Sequence, residues 1–131
     1  MPKYCSTVIL AQACSYIAVN SLNMVLMNTT PANLAACTVS TGGAVLARVA
    51  LTTADFTLAD GDVSGKKITV GQKATIAVTT TGVPSHVVLY SSVGGSSGLH
   101  YYTTCSTAQA LTSTANTVTV PAWDIEFRDA T

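Results

Sequence analysis

Few side chains in this sequence have the type and spacing that chemistry needs. His86 and His100 are its two histidines, and the patterning around them puts them on neighbouring strands, where such a pair can bind metal or shuttle protons. Neither has a second ligand at metal spacing, and no Asp or Glu is near either in sequence, so half-buried histidines bonded to backbone are expected. Asp60-Gly61-Asp62-Val63-Ser64-Gly65 opens like a calcium loop. That loop needs a bidentate Glu at its twelfth position; Gly71 stands there, and a tight β-turn is the expectation. No serine sits in a G-x-S-x-G elbow, and Ser85-His86 has no carboxylate beside it. Cys105 lacks the neighbouring positive charge that activates a thiol. Cys5, Cys14, Cys37 and Cys105 include no C-x-x-C pair, which removes zinc-ribbon and thioredoxin readings. Gly42-Gly43 and Gly94-Gly95 are not followed by the Lys-Ser of a phosphate-binding loop. The expectation is a chain with no catalytic residue, no metal and no cofactor.

Composition points the same way. The chain has 131 residues, of which 48% are hydrophobic and only 9% charged. Globular proteins usually carry about 25% charged residues; here Thr, Ser, Gly and Ala take their place. A normal apolar fraction with little charge is the reverse of the disorder signature. This length suits a single domain, residues 1–131. The net charge is zero, so no global field draws in nucleic acid, and Tyr101-Tyr102 is not interleaved with a basic patch. No stretch approaches the ~20 apolar residues of a membrane helix. Gln12, Ser15 and Asn20 interrupt the N-terminal apolar run too early for a signal peptide. The chain is therefore expected to stay where it is made, with reduced and partly buried thiols.

The elements that must position any site follow from periodicity. Ser6 to Val19 reads as a helix capped by Ser6, with Ile9, Ala13 and Ile17 forming a buried stripe flanked by Leu10 and Cys14. Asn20-Ser21 ends it. Met24 to Met27 reads as a buried strand. Thr30 is the expected cap, and Pro31 the first residue, of a short second helix ending near Cys37, and Thr41-Gly42-Gly43 breaks the chain. Ala44 to Thr52 alternates, with Val45, Ala47, Val49 and Leu51 on one face and Arg48 on the other. Ile68 and Val70 alternate with Lys67 and Thr69; Ile76 and Val78 alternate with Thr75, Ala77 and Thr79. His86 to Tyr90 is a continuous apolar run, as in a central strand covered on both sides. Ser91 to Gly98 is a Ser/Gly hairpin tip around Val93, and Leu99 to Cys105 returns as the partner strand. Val118 and Val120 are even-numbered and Trp123, Ile125 and Phe127 odd-numbered. The inward face therefore switches near Pro121, which predicts a bulge or a bend between sheets. The fold class expected is mainly β: an antiparallel β-sandwich or jelly-roll-like domain with an N-terminal α-helix packed on it.

Candidate interaction residues fall in two places. One is the hairpin tip and the strand after it: Ser91, Val93, Gly94, Gly95, Tyr101 and Tyr102. Because adjacent strand residues face opposite ways, only one of the two tyrosines can be exposed on a given face. The other is the last strand, where Asp124, Glu126 and Arg128 point outward together as a solubilising face or a salt-bridging patch. The N-terminal helix or the first residues of the chain are a further candidate docking arm.

The order of four segments carries a resemblance: Tyr4-Cys5-Ser6 opening a helix, Ala54 to Lys67, Ser85 to Tyr90, and Val118 to Phe127. Together they resemble a family of small structural proteins of tailed bacteriophages, over most of the chain. The resemblance implies a non-enzymatic virion component, assembled in the host cytoplasm. Its expected role is a capsid decoration or cement protein, whose partners are the major capsid protein and copies of itself as a homo-oligomer on the virion. The alternative is a tail, collar or head-fibre component that recognises a host glycan. No catalytic residue is implied.

Overall fold

The computed structural model describes residues 4–39, 43–106, 109–113 and 116–129. Strands in antiparallel sheets make up 43% of the chain and helices 21%, so the fold is mainly β and sandwich-like, with the N-terminal helix packed on the sheets.

The first element is α1 (Thr7–Asn20), whose first turn is capped by Ser6: its hydroxyl accepts from the Val8 backbone N–H at 3.2 Å. The helix buries Leu10, Cys14, Ile17 and Ala18 against β3 (Phe56–Asp60) and β4 (Lys66–Val70). The expected stripe is thus rotated. Ile17 points inward as expected, but Ile9 points out and Leu10 takes the inward place. With apolar residues on both sides of the helix, spacing alone could not decide which side is buried.

Next come β1 (Asn23–Met27), α2 (Leu34–Thr38) and β2 (Val45–Ala50). The second helix starts later than Thr30-Pro31 suggests: the Asn33 side chain accepts from the Ala36 N–H at 3.0 Å and is the cap. The Thr41-Gly42 part of the expected break lies outside the described residues; Gly43 takes φ +71°. Further on are β5 (Lys73–Ala77), β6 (His86–Ser91), β7 (Gly98–Thr104), β8 (Thr117–Val120) and β9 (Trp123–Phe127).

The largest sheet has the order β2-β1-β6-β7. Its two central strands are covered on both faces, as the apolar run of β6 predicts. Met24, Leu26, Val87 and Leu89 enter the main core, while Val25, Met27, Val88 and Tyr90 enter a smaller core under α2 with Cys37 and Val45. The alternation expected in β2 breaks at Leu46. A bulge there lets Met27 pair with Val45 while Leu26 pairs with Ala47, so Val45 joins the smaller core and Leu46 and Ala47 the main one. Arg48 returns to the smaller-core side. Its Nη2 donates to the carbonyls of Cys37 (2.7 Å) and Val39 (3.0 Å), and its guanidinium lies over the Tyr90 ring at 5.9 Å.

A second sheet, β3-β4-β9, and a two-stranded sheet, β5-β8, close the main core from the other side. Ile68 and Val70 are fully buried, each worth ~1.5–3 kcal/mol of apolar transfer. Sequence alternation assigned no strand to Phe56–Asp60, because only Phe56 of that edge strand points inward. The face switch at Pro121 is a change of sheet: β8 pairs with β5, and β9 pairs with β4.

Candidate functional site

Many of the charged side chains among the described residues form ion pairs with one another. Lys66 pairs with Asp60, and Lys67 with Asp62 (2.6 Å) and Asp124 (3.6 Å), around the turn joining β3 to β4. The turn itself closes through the Gly61 N–H to the Gly65 carbonyl at 3.1 Å. Both aspartates that mimic a calcium loop thus have lysine partners. The Lys66 ammonium holds the Asp60 carboxyl below its ordinary range, and Asp62, with Asp124 behind it, raises the Lys67 ammonium.

Glu126 is not a free member of an outward patch. Its Oε1 accepts from the backbone N–H groups of Val63 (3.0 Å) and Ser64 (3.4 Å), and its Oε2 from Arg128 Nε at 3.2 Å. The bond from Val63 is the chief reason its carboxyl sits below the usual range. Asp124 is similarly engaged, accepting from Thr69 Oγ1 at 2.5 Å as well as pairing with Lys67. Asp124, Glu126 and Arg128 therefore brace the β4–β9 end of the fold. Lys73 pairs with Asp55 at 2.5 Å, and Asp55 Oδ2 accepts from the Thr52 backbone N–H at 2.7 Å.

At the other end, the tip of the β6–β7 hairpin presents Val93, Gly94 and Gly95 to solvent. Ser91, expected among them, is fully buried. Its hydroxyl accepts from the Val93 N–H at 3.2 Å and meets Ser96 Oγ at 3.3 Å, so it holds the tip from inside. The two tyrosines do face opposite ways. Tyr101 is half-buried and stacked on Trp123 (6.0 Å between centroids), while Tyr102 is exposed beside His86 (6.1 Å).

The histidines do not converge on one ligand. His86 Nδ1 lies 2.8 Å from Ser85 Oγ, and its Nε2 faces Thr30 Oγ1 at 3.4 Å, where a nucleophile-activating triad would need a carboxylate. His100 turns toward α1: Nδ1 is 3.0 Å from the buried Ser21 hydroxyl, and Nε2 is 2.9 Å from the Ser96 carbonyl. The carbonyl can only accept, so Nε2 carries the proton and donates to it. Among the described residues no three His, Cys, Asp or Glu side chains gather as a metal site. All four cysteines are free thiols, and burial pushes those of Cys14, Cys37 and Cys105 up.

The sequence reading named the N-terminal helix as a candidate docking arm but not which of its residues face outward. Val8 (65% exposed), Ile9 (62%), Tyr16 (52%) and Val19 (59%) stand on a helix with no charged residue. His100 joins this surface to the hairpin tip. Its ring meets Tyr16 edge-on at 5.5 Å, while its Nε2 holds Ser96, next to the tip residues. The outer side of α1, His100 and the Val93–Ser96 turn thus form one continuous surface without a fixed charge. The signal that could have found it was the absence of Asp, Glu, Lys and Arg from fourteen helical residues. Comparison of the chain with models of known protein families, with curated proteins and with solved structures finds no match.

Proposed function

We propose that this chain is a non-enzymatic structural subunit of a tailed-phage virion: a decoration protein on the outside of the head, docked on the major capsid protein and neighbouring copies of itself. The observation that carries this reading is the second apolar side of α1, continuous with the hairpin tip. Large hydrophobic side chains grouped on one side of a helix normally end up buried, yet in the isolated chain Val8, Ile9, Tyr16 and Val19 face solvent, with the uncharged Gln12 among them. Interface centres are depleted of charge and enriched in aromatic side chains. An uncharged face carrying Tyr16 suits an apolar, uncharged patch on a capsid subunit, because neither partner then buries an unpaired ion. Repetition over a shell lets modest contacts add up through multivalency. The resemblance in segment order supplies the identity of the partner.

Quantitative mass spectrometry of purified virions tests this, with the copy number of the chain measured against the major capsid protein. A ratio near one, or a simple fraction of it, supports decoration of the shell. A few dozen copies or fewer overturn that in favour of a tail, collar or fibre. Absence from the particle overturns the virion reading.

A further inference from the structure

The largest sheet ends on β7, whose outer side has no partner strand among the described residues. With seven residues it is also the longest described strand. Its register fixes which main-chain groups are left over. Thr104 lies opposite His86, and the next residue, Cys105, donates its N–H to the Ser85 carbonyl at 2.8 Å. Main-chain groups alternate sides along an antiparallel strand. Tyr101, Thr103 and Cys105 therefore turn theirs to β6, while Tyr102 and Thr104 turn theirs outward. Both of these residues are exposed, Tyr102 at 44%. No described residue takes their N–H or C=O groups.

Open strand edges are normally blunted by charge, proline, short length or a covering element. The other edges of this fold follow that rule. β9 carries Asp124 and Glu126, β3 ends on Asp60, and β8 stops after four residues, just before Pro121. β2 is covered by β5 through the Ala47–Val78 bridge. β7 reads Gly-Leu-His-Tyr-Tyr-Thr-Thr, with no Asp, Glu, Lys, Arg or Pro.

We infer that β7 pairs antiparallel with β7 of a second copy, across a twofold axis at Thr103. In that register each Tyr102 meets the partner's Thr104, and two N–H and two C=O groups from each copy close four main-chain hydrogen bonds. The occupant of such an edge must be an extended backbone, because only that presents donors and acceptors at strand spacing. A second copy of β7 is already extended, sets no like charges opposite each other, and gives aromatic–β-branched cross-strand pairs. The edge is separate from the outer side of α1 and its pairing does not depend on the virion role.

Sedimentation equilibrium of the full chain from micromolar to millimolar concentration should show reversible dimerisation; a monomer throughout overturns the inference. Thr104→Lys places a charge on the open edge and is expected to weaken the dimer by at least about tenfold. Ile9→Ala, on α1, should change it less than about twofold, and a dimer sensitive to Ile9→Ala but not to Thr104→Lys overturns the edge. Should Thr104→Lys fail to fold, amide hydrogen exchange by NMR reads the same point on the unsubstituted chain. The Tyr102 and Thr104 amides should exchange more slowly in concentrated than in dilute protein, with Tyr101 and Thr103 already slow when dilute. Concentration-independent exchange at Tyr102 and Thr104 refutes the pairing. The axis is read by adding Thr103→Cys to a Cys105→Ser chain. Such non-hydrogen-bonded partners stand about 4.5 Å apart at Cα, within disulfide reach. Glutathione disulfide should give a covalent dimer that the Cys105→Ser chain alone does not, and its failure to form overturns the placement at Thr103.

Discussion

Ile9 and Leu10 are adjacent apolar residues on α1, and the structure gives them opposite roles. Leu10 is 7% exposed and Ile9 is 62% exposed. Truncating a buried leucine to alanine removes its transfer energy and leaves a cavity, at ~2–5 kcal/mol. Ile9 has a little over a third of its surface covered in the isolated chain. Of the ~1.5–3 kcal/mol that full burial contributes, its removal forfeits about 0.5–1 kcal/mol, and the better helix propensity of alanine returns about 0.4 kcal/mol. A chain of this size loses about 3–6 °C in Tm per kcal/mol. Leu10→Ala should therefore lower Tm by roughly 6–30 °C, and Ile9→Ala by less than about 4 °C. Circular dichroism melts at several dilute concentrations read both.

The same arithmetic reverses for docking. The uncovered remainder of Ile9 is worth ~1–2 kcal/mol when it enters an interface, or about five- to thirtyfold in affinity. Ile9→Ala should thus bind empty shells more weakly while melting like the parent chain. An Ile9→Ala melt as low as that of Leu10→Ala would mean α1 seats its Ile9–Ala13–Ile17 side inward, and the docking face would be lost with it.

Three further outcomes follow from the same geometry. Burial works to raise the Asp55 carboxyl, but Lys73 and the backbone N–H of Thr52 outweigh it and leave the group below its ordinary value. Stability from this group is thus present above the unfolded carboxylate value near pH ~4 and is lost as pH falls through the lower folded value; Asp55→Asn should flatten the stability–pH curve in that acid window, as followed by urea titrations at stepped pH. Gly65 takes φ +75°, and a Cβ there would stand 2.0 Å from the Phe127 carbonyl oxygen; Gly65→Ala should cost about 3–5 kcal/mol by forcing β9 off β4, which denaturant melts will show. Thr75 is the one described non-glycine residue with positive φ, at +54° in the bulge of β5; asparagine tolerates that region better, and Thr75→Asn should raise Tm by about 2–4 °C.

Legibility in the sequence tracked how local each signal was. The run His86 to Tyr90 read as a strand covered on both faces, and the parity change between Val120 and Trp123 read as a bulge or a bend between sheets. Both are properties of a few consecutive residues. The bulge at Leu46 had no such signature, because Val45, Leu46 and Ala47 are all apolar and any register looks acceptable. Ser91 read as part of a polar tip, yet a serine hydroxyl can be fully buried once it bonds to its own turn. Glu126 read as an outward charge, but its partners Val63 and Ser64 lie more than sixty residues away in the chain.

Those long-range pairings also explain why the uncharged surface could not be read. In sequence, the few charges look scattered. In the fold, Asp60, Asp62, Lys66, Lys67, Asp124, Glu126 and Arg128 meet around the β3–β4 turn and β9. Arg48 is turned onto backbone carbonyls and Lys73 onto Asp55. These charges are occupied by partners within the fold, and the described residues on the outer side of α1 and in the hairpin tip carry none of them. Scattered charges would have set a desolvation cost against any docked neighbour. A face whose own side chains carry no charge is easier to dehydrate, and the pairing that engages the ions belongs to the topology rather than to any single residue.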